Sequence, residues 1–224
     1  IDEYLAEHPP RDVIHVQAGS WGIDGQYDGP DFPVWNGSEG DRRTWRRVFD
    51  VLDDVVKVRA SVAWAEAKGY DVSEARRYAD LAWRYILMAE TSCYYYWDSD
   101  EWWGKALKCC DFAEDYAARA EEALPEGVGV DTNPPRLESL TWEPEVPGPE
   151  DEVVVRAVLE DDMTGVDPST VVLAYSTDGG FVTERMEEVE SGVFEARIPP
   201  QPLGTEVVFR VEARDKAWNL LVSE

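Results

Sequence analysis

Basic residues are scarce in this chain of 224 residues, where 21 lysines and arginines stand against 47 aspartates and glutamates and leave a net charge of −26. The excess is spread evenly, because the stretch up to Asn133 and the stretch after it each carry −13. Such a surface repels phosphate backbones, so the composition argues against nucleic acid as a partner. Two interpretations of the acidity remain: a solvated surface adapted to salt or heat, or a set of divalent-cation sites.

Long apolar runs are missing as well. No stretch approaches roughly 18 consecutive apolar residues, so the sequence predicts no membrane partner. No basic segment followed by an apolar one marks a signal peptide. Because the chain begins at Ile1 and not at a methionine, we expect a fragment or a processed product.

Cysteine and histidine are rare, with three and two residues respectively. Cys109 and Cys110 are neighbours and no Cys-x-x-Cys pair exists, which argues against a disulfide framework and a zinc site. The sequence therefore predicts no metal site and no cofactor. Reduced, buried thiols favour the cytoplasm, and an extracellular location stays open if a signal lies upstream.

Aromatic residues are plentiful in the first half, which has helical periodicity. We predict a helical domain over residues 1–126 that begins with a short strand and an aromatic loop. Its first helix is expected after Asp41 and ends at Gly69, the second opens at Asp71 or Ser73, and the third opens near Asp98 or Ser99. Three long helices with short connections predict an antiparallel three-helix bundle.

The periodicity changes after a linker at residues 127–135. From residue 136 to 224, apolar residues alternate with polar ones in about seven short segments that are separated by turn signals such as Ser191-Gly192. This pattern predicts an all-β sandwich of immunoglobulin-like or fibronectin-like type. The fold class is therefore α+β in two domains.

The densest aromatic run is Tyr94-Tyr95-Tyr96-Trp97, followed closely by Trp102-Trp103. Successive residues of a helix point 100° apart, so six aromatics in ten positions cannot all face one core. Flat aromatic faces near carboxylates suit sugar rings, whose C–H faces stack while acidic groups accept hydroxyl hydrogen bonds. The alternative is that these rings close the end of the bundle against a neighbouring domain.

The order of the motifs resembles a known enzyme family. Gly19-Ser20-Trp21-Gly22 and Val34-Trp35-Asn36 come first, and a helix later runs into Ala89-Glu90-Thr91-Ser92 and the aromatic run. This succession is similar to the C-terminal part of the catalytic region in glycoside hydrolase family 57, the retaining α-glucan amylases, branching enzymes and transferases. The resemblance covers Ile1 to about Leu124. It departs from the family at Cys93 and the three tyrosines, where many members have an acidic residue and tryptophans.

The resemblance implies a role for four aromatic residues, and it implies that the catalytic residues belong to another domain. It implies that Trp21, Trp35, Tyr95 and Trp97 wall the subsites for an α-glucan or oligosaccharide. The family's two catalytic carboxylates lie on an upstream barrel domain, so we expect no catalytic residue in this chain and no hydrolase activity from it alone. The alternative is a non-catalytic structural or carbohydrate-binding protein.

The β half carries a weaker signal. Glu160-Asp161-Asp162, near Asp167, offers oxygen ligands of the kind that calcium binds. A solvated turn explains the same residues. The tryptophans of this half, Trp142 and Trp218, leave a sugar-binding face possible there without requiring one.

Overall fold

A computed structural model describes residues 37–177 and 179–223. The expected strand and aromatic loop before residue 37, with Trp21 and Trp35, lie outside the described residues. Within them the chain is α+β, with three long helices followed by two antiparallel four-stranded sheets. No helix in this part of the chain is both long enough and apolar enough to cross a membrane.

From residue 37 to the linker, the described part of the helical region contains four helices. They are α1 (Glu39–Ala67), α2 (Ser73–Ala89), the single turn α3 (Cys93–Tyr96) and α4 (Asp100–Glu122). Helix α1 begins one turn earlier than the sequence predicts, because Ser38 is its N-cap and accepts a hydrogen bond from the Asp41 N–H at 3.0 Å. Asp41 completes a capping box, so it lies inside the helix. Gly69 follows the end of α1 with a φ of +88°, as its predicted role as a stop requires.

One hydrophobic core joins α1, α2 and α4. Its fully buried members include Val48, Val55, Ile86 and Cys110, and alanines line the faces of α2 and α4 that turn towards it. Small residues allow helices to approach closely, which explains how this core closes with few large side chains.

The described residues of the β region form eight strands in two sheets. The strands are β1 (Arg136–Glu143), β2 (Val153–Glu160), β3 (Val172–Ser176), β4 (Phe181–Arg185), β5 (Glu187–Glu190), β6 (Val193–Ile198), β7 (Val208–Arg214) and β8 (Leu220–Val222). One sheet has the order β1-β2-β6-β5 and the other β4-β3-β7-β8, and all pairs are antiparallel.

The apolar residues that alternate with polar ones in the sequence form the core of the β region. Val155, Ala157 and Leu159 of β2 are buried, and they share a single cluster with residues of β3, β6 and β7. Since both sheets contribute to this cluster, their inner faces cover the same core. The predicted strand positions at 153–159 and 194–198 are confirmed.

Candidate functional site

Aromatic residues gather at the end of the helical region where α1 begins. We call this surface the aromatic end; its members are Trp45, Phe49, Tyr94, Tyr95, Tyr96, Trp97, Trp102 and Trp103. Trp45 of α1 stacks on Tyr95 with 4.1 Å between ring centroids and also on Phe49 at 5.6 Å. Trp97 stacks on Trp102 at 6.4 Å. Tyr94 and Tyr96 contact Trp102 and Trp97 respectively. The ring contacts thus form two groups, one between α1 and α3 and the other between α3 and α4.

Two members of the aromatic end are held in place by hydrogen bonds from their side chains. The Tyr95 hydroxyl donates to the Ala89 carbonyl oxygen at 2.9 Å, and the side chain is fully buried. The indole N–H of Trp103 donates to Asp41 Oδ1 at 2.9 Å, and Asp41 is itself buried. Burial is the main reason that the pKa of Tyr95 is raised. Both side chains therefore stabilise this end of the helices from within.

Other members face solvent. Trp97 is 58% exposed, Phe49 59% and Tyr96 41%. A hollow of about 390 Å³ lies beside Phe49 and is lined by Arg42, Trp45 and Arg46. Exposed rings clustered in this way are unusual on a protein surface and commonly mark a binding site.

A carboxylate lies close to this surface. Glu90 follows α2 and is half-buried, and burial raises its pKa. Its charge acts on the nearby Tyr95 hydroxyl. Glu90 is thus close to the buried ring of the aromatic end, and its carboxylate is an oxygen acceptor of the kind that binds sugar hydroxyls.

Of the four residues expected to bind a glycan, the structure describes two. Trp97 is at the surface, and Tyr95 is buried beneath Trp45, so its ring is not presented to a ligand. Trp21 and Trp35 lie outside the described residues. Sequence reasoning missed Phe49 because its position in α1 is consistent with a core residue, and helical periodicity does not separate a core edge from a surface.

The structure also brings three aspartates together where the two regions meet. We call Asp131, Asp161 and Asp215 the aspartate junction; each offers a carboxylate oxygen within 4.8 Å of the others. Asp215 is fully buried and Asp131 is 2% exposed. Of the acidic residues noted in the sequence for calcium, only Asp161 is in this group. Asp162 pairs with Arg136, and Asp167 caps a 3₁₀ turn.

Hydrogen bonds at the aspartate junction connect the helical and β regions. The Asp131 N–H donates to Ser61 Oγ of α1 at 2.9 Å. The Thr164 N–H and hydroxyl both donate to Asp131 Oδ2, at 3.1 and 2.8 Å. Asn219 donates through its side-chain amide to the Asp131 carbonyl oxygen and to Asp215 Oδ2. The predicted linker is therefore hydrogen-bonded both to the helical region and to the β region.

Burial, together with the charges of Asp131 and Asp161, raises the pKa of Asp215. A raised pKa means that the folded chain binds this proton more tightly than the unfolded chain. The contribution of Asp215 to stability is therefore greatest below the usual aspartate pKa and is lost as pH rises through the raised value. A divalent cation would offset the same negative charge, and carboxylate oxygens are the ligands that calcium prefers.

Comparison with protein-family models, with curated proteins and with solved structures found no match to this chain. Its function is therefore inferred from its own geometry.

Proposed function

We propose that the helices form an antiparallel three-helix bundle and that the two sheets form an immunoglobulin-like or fibronectin-like sandwich. The shared core of α1, α2 and α4 supports the first, and the shared core of the two sheets supports the second. In this arrangement the bundle occupies residues 1–126, the linker 127–135 and the sandwich 136–224. The bundle would present the aromatic end, and the sandwich would act as a spacer or accessory module.

We propose that the aromatic end forms part of the wall of an α-glucan-binding cleft in a glycoside hydrolase or glucanotransferase. The observation that carries the proposal is the contact between the solvent-facing rings of Tyr96 and Trp97, whose centroids lie 5.3 Å apart. Phe49 of α1 is a further exposed ring of the aromatic end. Glucose rings in an α-glucan have apolar C–H faces that stack on such rings, and their hydroxyls donate to carboxylates. Trp97 would provide the main stacking face.

The proposal assigns no catalytic residue to this chain. A retaining glycosidase uses two carboxyl groups about 5 Å apart, one as nucleophile and one as acid/base. The resemblance to family 57 places both on a barrel domain, which would be the principal partner of the aromatic end. The purified chain alone is expected to hydrolyse neither amylose nor maltooligosaccharides.

A non-catalytic structural or carbohydrate-binding protein is the second candidate. The internal use of Tyr95 and Trp103 favours it, because these residues stabilise the helices whether or not a ligand binds. A cytoplasmic location is proposed for either candidate, since Cys109 and Cys110 are buried free thiols and burial raises the pKa of both. Raised thiol pKa values keep such groups protonated and unreactive.

Calorimetric titration with maltohexaose tests glucan binding. We expect saturable binding that Trp97→Ala weakens about tenfold, a loss of roughly 1.4 kcal/mol. Tyr70→Ala is the matched control, because Tyr70 is an exposed aromatic at the opposite end of α1. The absence of binding to the native chain, or an equal loss in both variants, would overturn the proposal.

A further inference from the structure

A second surface lies between the helical and β regions. A groove of about 670 Å³ is bounded by α1 and α2 on one side and by the chain after β2 and β7 on the other. Its tryptophans are Trp64, Trp83 and Trp218, and its basic residues are Arg59, Lys68, Arg76 and Lys216. We call it the junction groove. Its volume falls within the range of ordinary small-molecule sites.

The junction groove is positively charged in a chain whose net charge is −26. Its four basic side chains face a single acidic lining residue, Asp80. Among the described residues, Arg59, Lys68 and Lys216 have no carboxylate within 4.0 Å. Arg76 pairs with Glu66, and twelve further ion pairs form outside the groove. Four cations against Asp80 and Glu66 leave the groove with a net positive charge, which focuses a local positive potential in this acidic protein.

Arg76 adds a further unmet donor. Its terminal nitrogen pairs with Glu66, but its buried Nε has no hydrogen-bond partner among the described residues. Buried donors without acceptors are costly, so a shift of Arg76 that brought this Nε to an acceptor on a bound ligand would be favourable.

Aromatic rings hold two of these cations in place. The Arg59 guanidinium lies 4.3 Å from the centroid of the Trp83 ring, and the Lys68 ammonium lies 5.8 Å from that of Trp64. Such contacts orient a cation without neutralising it. Burial is the main cause of a lowered pKa at Arg59, which indicates that water is partly excluded from the guanidinium. An anion reaching this site would thus meet oriented, partly desolvated donors.

We propose that the junction groove binds a small organic anion in which a carboxylate or phosphate group is carried on a sugar-sized ring. The cations of α1 and the β region would hold the anionic group, and the indole of Trp218, 42% exposed, would cover the ring. The inference is independent of the proposed function. Trp45 and Trp64 are separated by 19 residues of α1, or roughly 28 Å of helix, so the two surfaces lie far apart.

Calorimetric titration at low salt with glucose 6-phosphate, glucuronate and glucose tests this proposal. We expect at least one anionic sugar to bind with a dissociation constant below about 1 mM, and neutral glucose not to bind. The tighter of the two anions identifies whether the group recognised is a phosphate or a carboxylate. Failure of both anions to bind, or equal binding of glucose, would overturn the proposal.

Single substitutions test whether the anion binds in the junction groove. Arg59→Gln and Lys216→Gln are each expected to weaken binding about tenfold, since each removes a charge-assisted hydrogen bond. Lys216 is exposed on the β region, so its replacement leaves the helical core intact. Arg84→Gln is the control, because Arg84 is an exposed cation of α2 outside the groove. An equal loss with Arg84→Gln would show only diffuse attraction and would contradict the site, whereas Trp97→Ala should leave anion binding unchanged.

Discussion

Neighbouring aromatic residues serve different purposes at the aromatic end. Tyr95 is buried and bonded to a carbonyl oxygen, whereas Tyr96 and Trp97, next in the chain, face solvent. A helical turn separates their directions by about 100° per residue, so burying one necessarily exposes others. The exposed rings remain solvated in the chain as described, and a stacking ligand is the partner that we propose for them.

Two helical glycines should respond oppositely to the same substitution. A Cβ added at Gly40 would lie 2.2 Å from the Trp103 ring, whereas one at Gly104 would meet nothing within 4 Å. Gly40→Ala is therefore expected to destabilise the chain by about 1–3 kcal/mol through overpacking. Gly104→Ala should stabilise it by roughly 0.5–1 kcal/mol, because alanine favours the helix.

Urea unfolding of the native chain and of each alanine variant measures the free energy of unfolding, and the differences test both predicted changes. If Gly40→Ala proved as stable as the native chain, Trp103 would not pack against α1 as described.

At the scale of the element, the beginning of α1 depends on one side chain. Ser38 accepts the Asp41 N–H, and Asp41 in turn accepts the Ser38 N–H at 3.4 Å. Ser38→Ala is expected to cost about 1 kcal/mol, and it should also loosen the Asp41–Trp103 contact beneath the aromatic end. Ser73→Ala serves as the control because Ser73 opens α2 without acting as its N-cap.

Thermal unfolding measures the loss of stability in Ser38→Ala. The near-ultraviolet circular dichroism of the tryptophans reports whether the Asp41–Trp103 contact has loosened. A melting temperature of Ser38→Ala equal to that of the native chain would show that the capping box contributes nothing.

Helices, strands and the aromatic run at residues 94–97 were largely predictable from the sequence, and the aspartate junction was not. The change from a 3.6-residue to a two-residue period after the linker marks where helices give way to strands, and the described residues contain three long helices followed by strands in this order. The aspartate junction escaped prediction because Asp131, Asp161 and Asp215 are brought together only by the fold. Periodicity reports which face of one element is buried, and it carries no information on distances between elements.

At the scale of the whole molecule, the net charge of −26 is self-repulsive. The Debye length falls from about 30 Å at 0.01 M salt to about 3 Å at 1 M, so most surface repulsion is screened over that range. We expect the melting temperature to rise steadily with sodium chloride. A flat response would contradict a role for screening in stability.

Calcium provides the second arm of the same experiment. Screening requires far more salt than occupation of a cation site, so a rise at millimolar calcium that magnesium does not reproduce would indicate specific binding. Asp161→Asn would abolish that rise if the aspartate junction is the site, and Asp162→Asn would not, because Asp162 pairs with Arg136. A calcium-specific rise that Asp161→Asn abolishes would show that stability depends on calcium binding and not on charge screening.

The central claim is that an α-glucan stacks on the aromatic end. Nuclear magnetic resonance of the indole N–H groups tests it directly, because each of the ten tryptophans gives its own signal. On addition of maltohexaose we expect the signals of Trp97 and Trp102 to shift, with Trp97 assigned by its loss in Trp97→Phe. The signal of Trp142, which lines a separate hollow of about 290 Å³ in the β region, should stay in place. A shift at Trp142 with none at Trp97 would contradict the account.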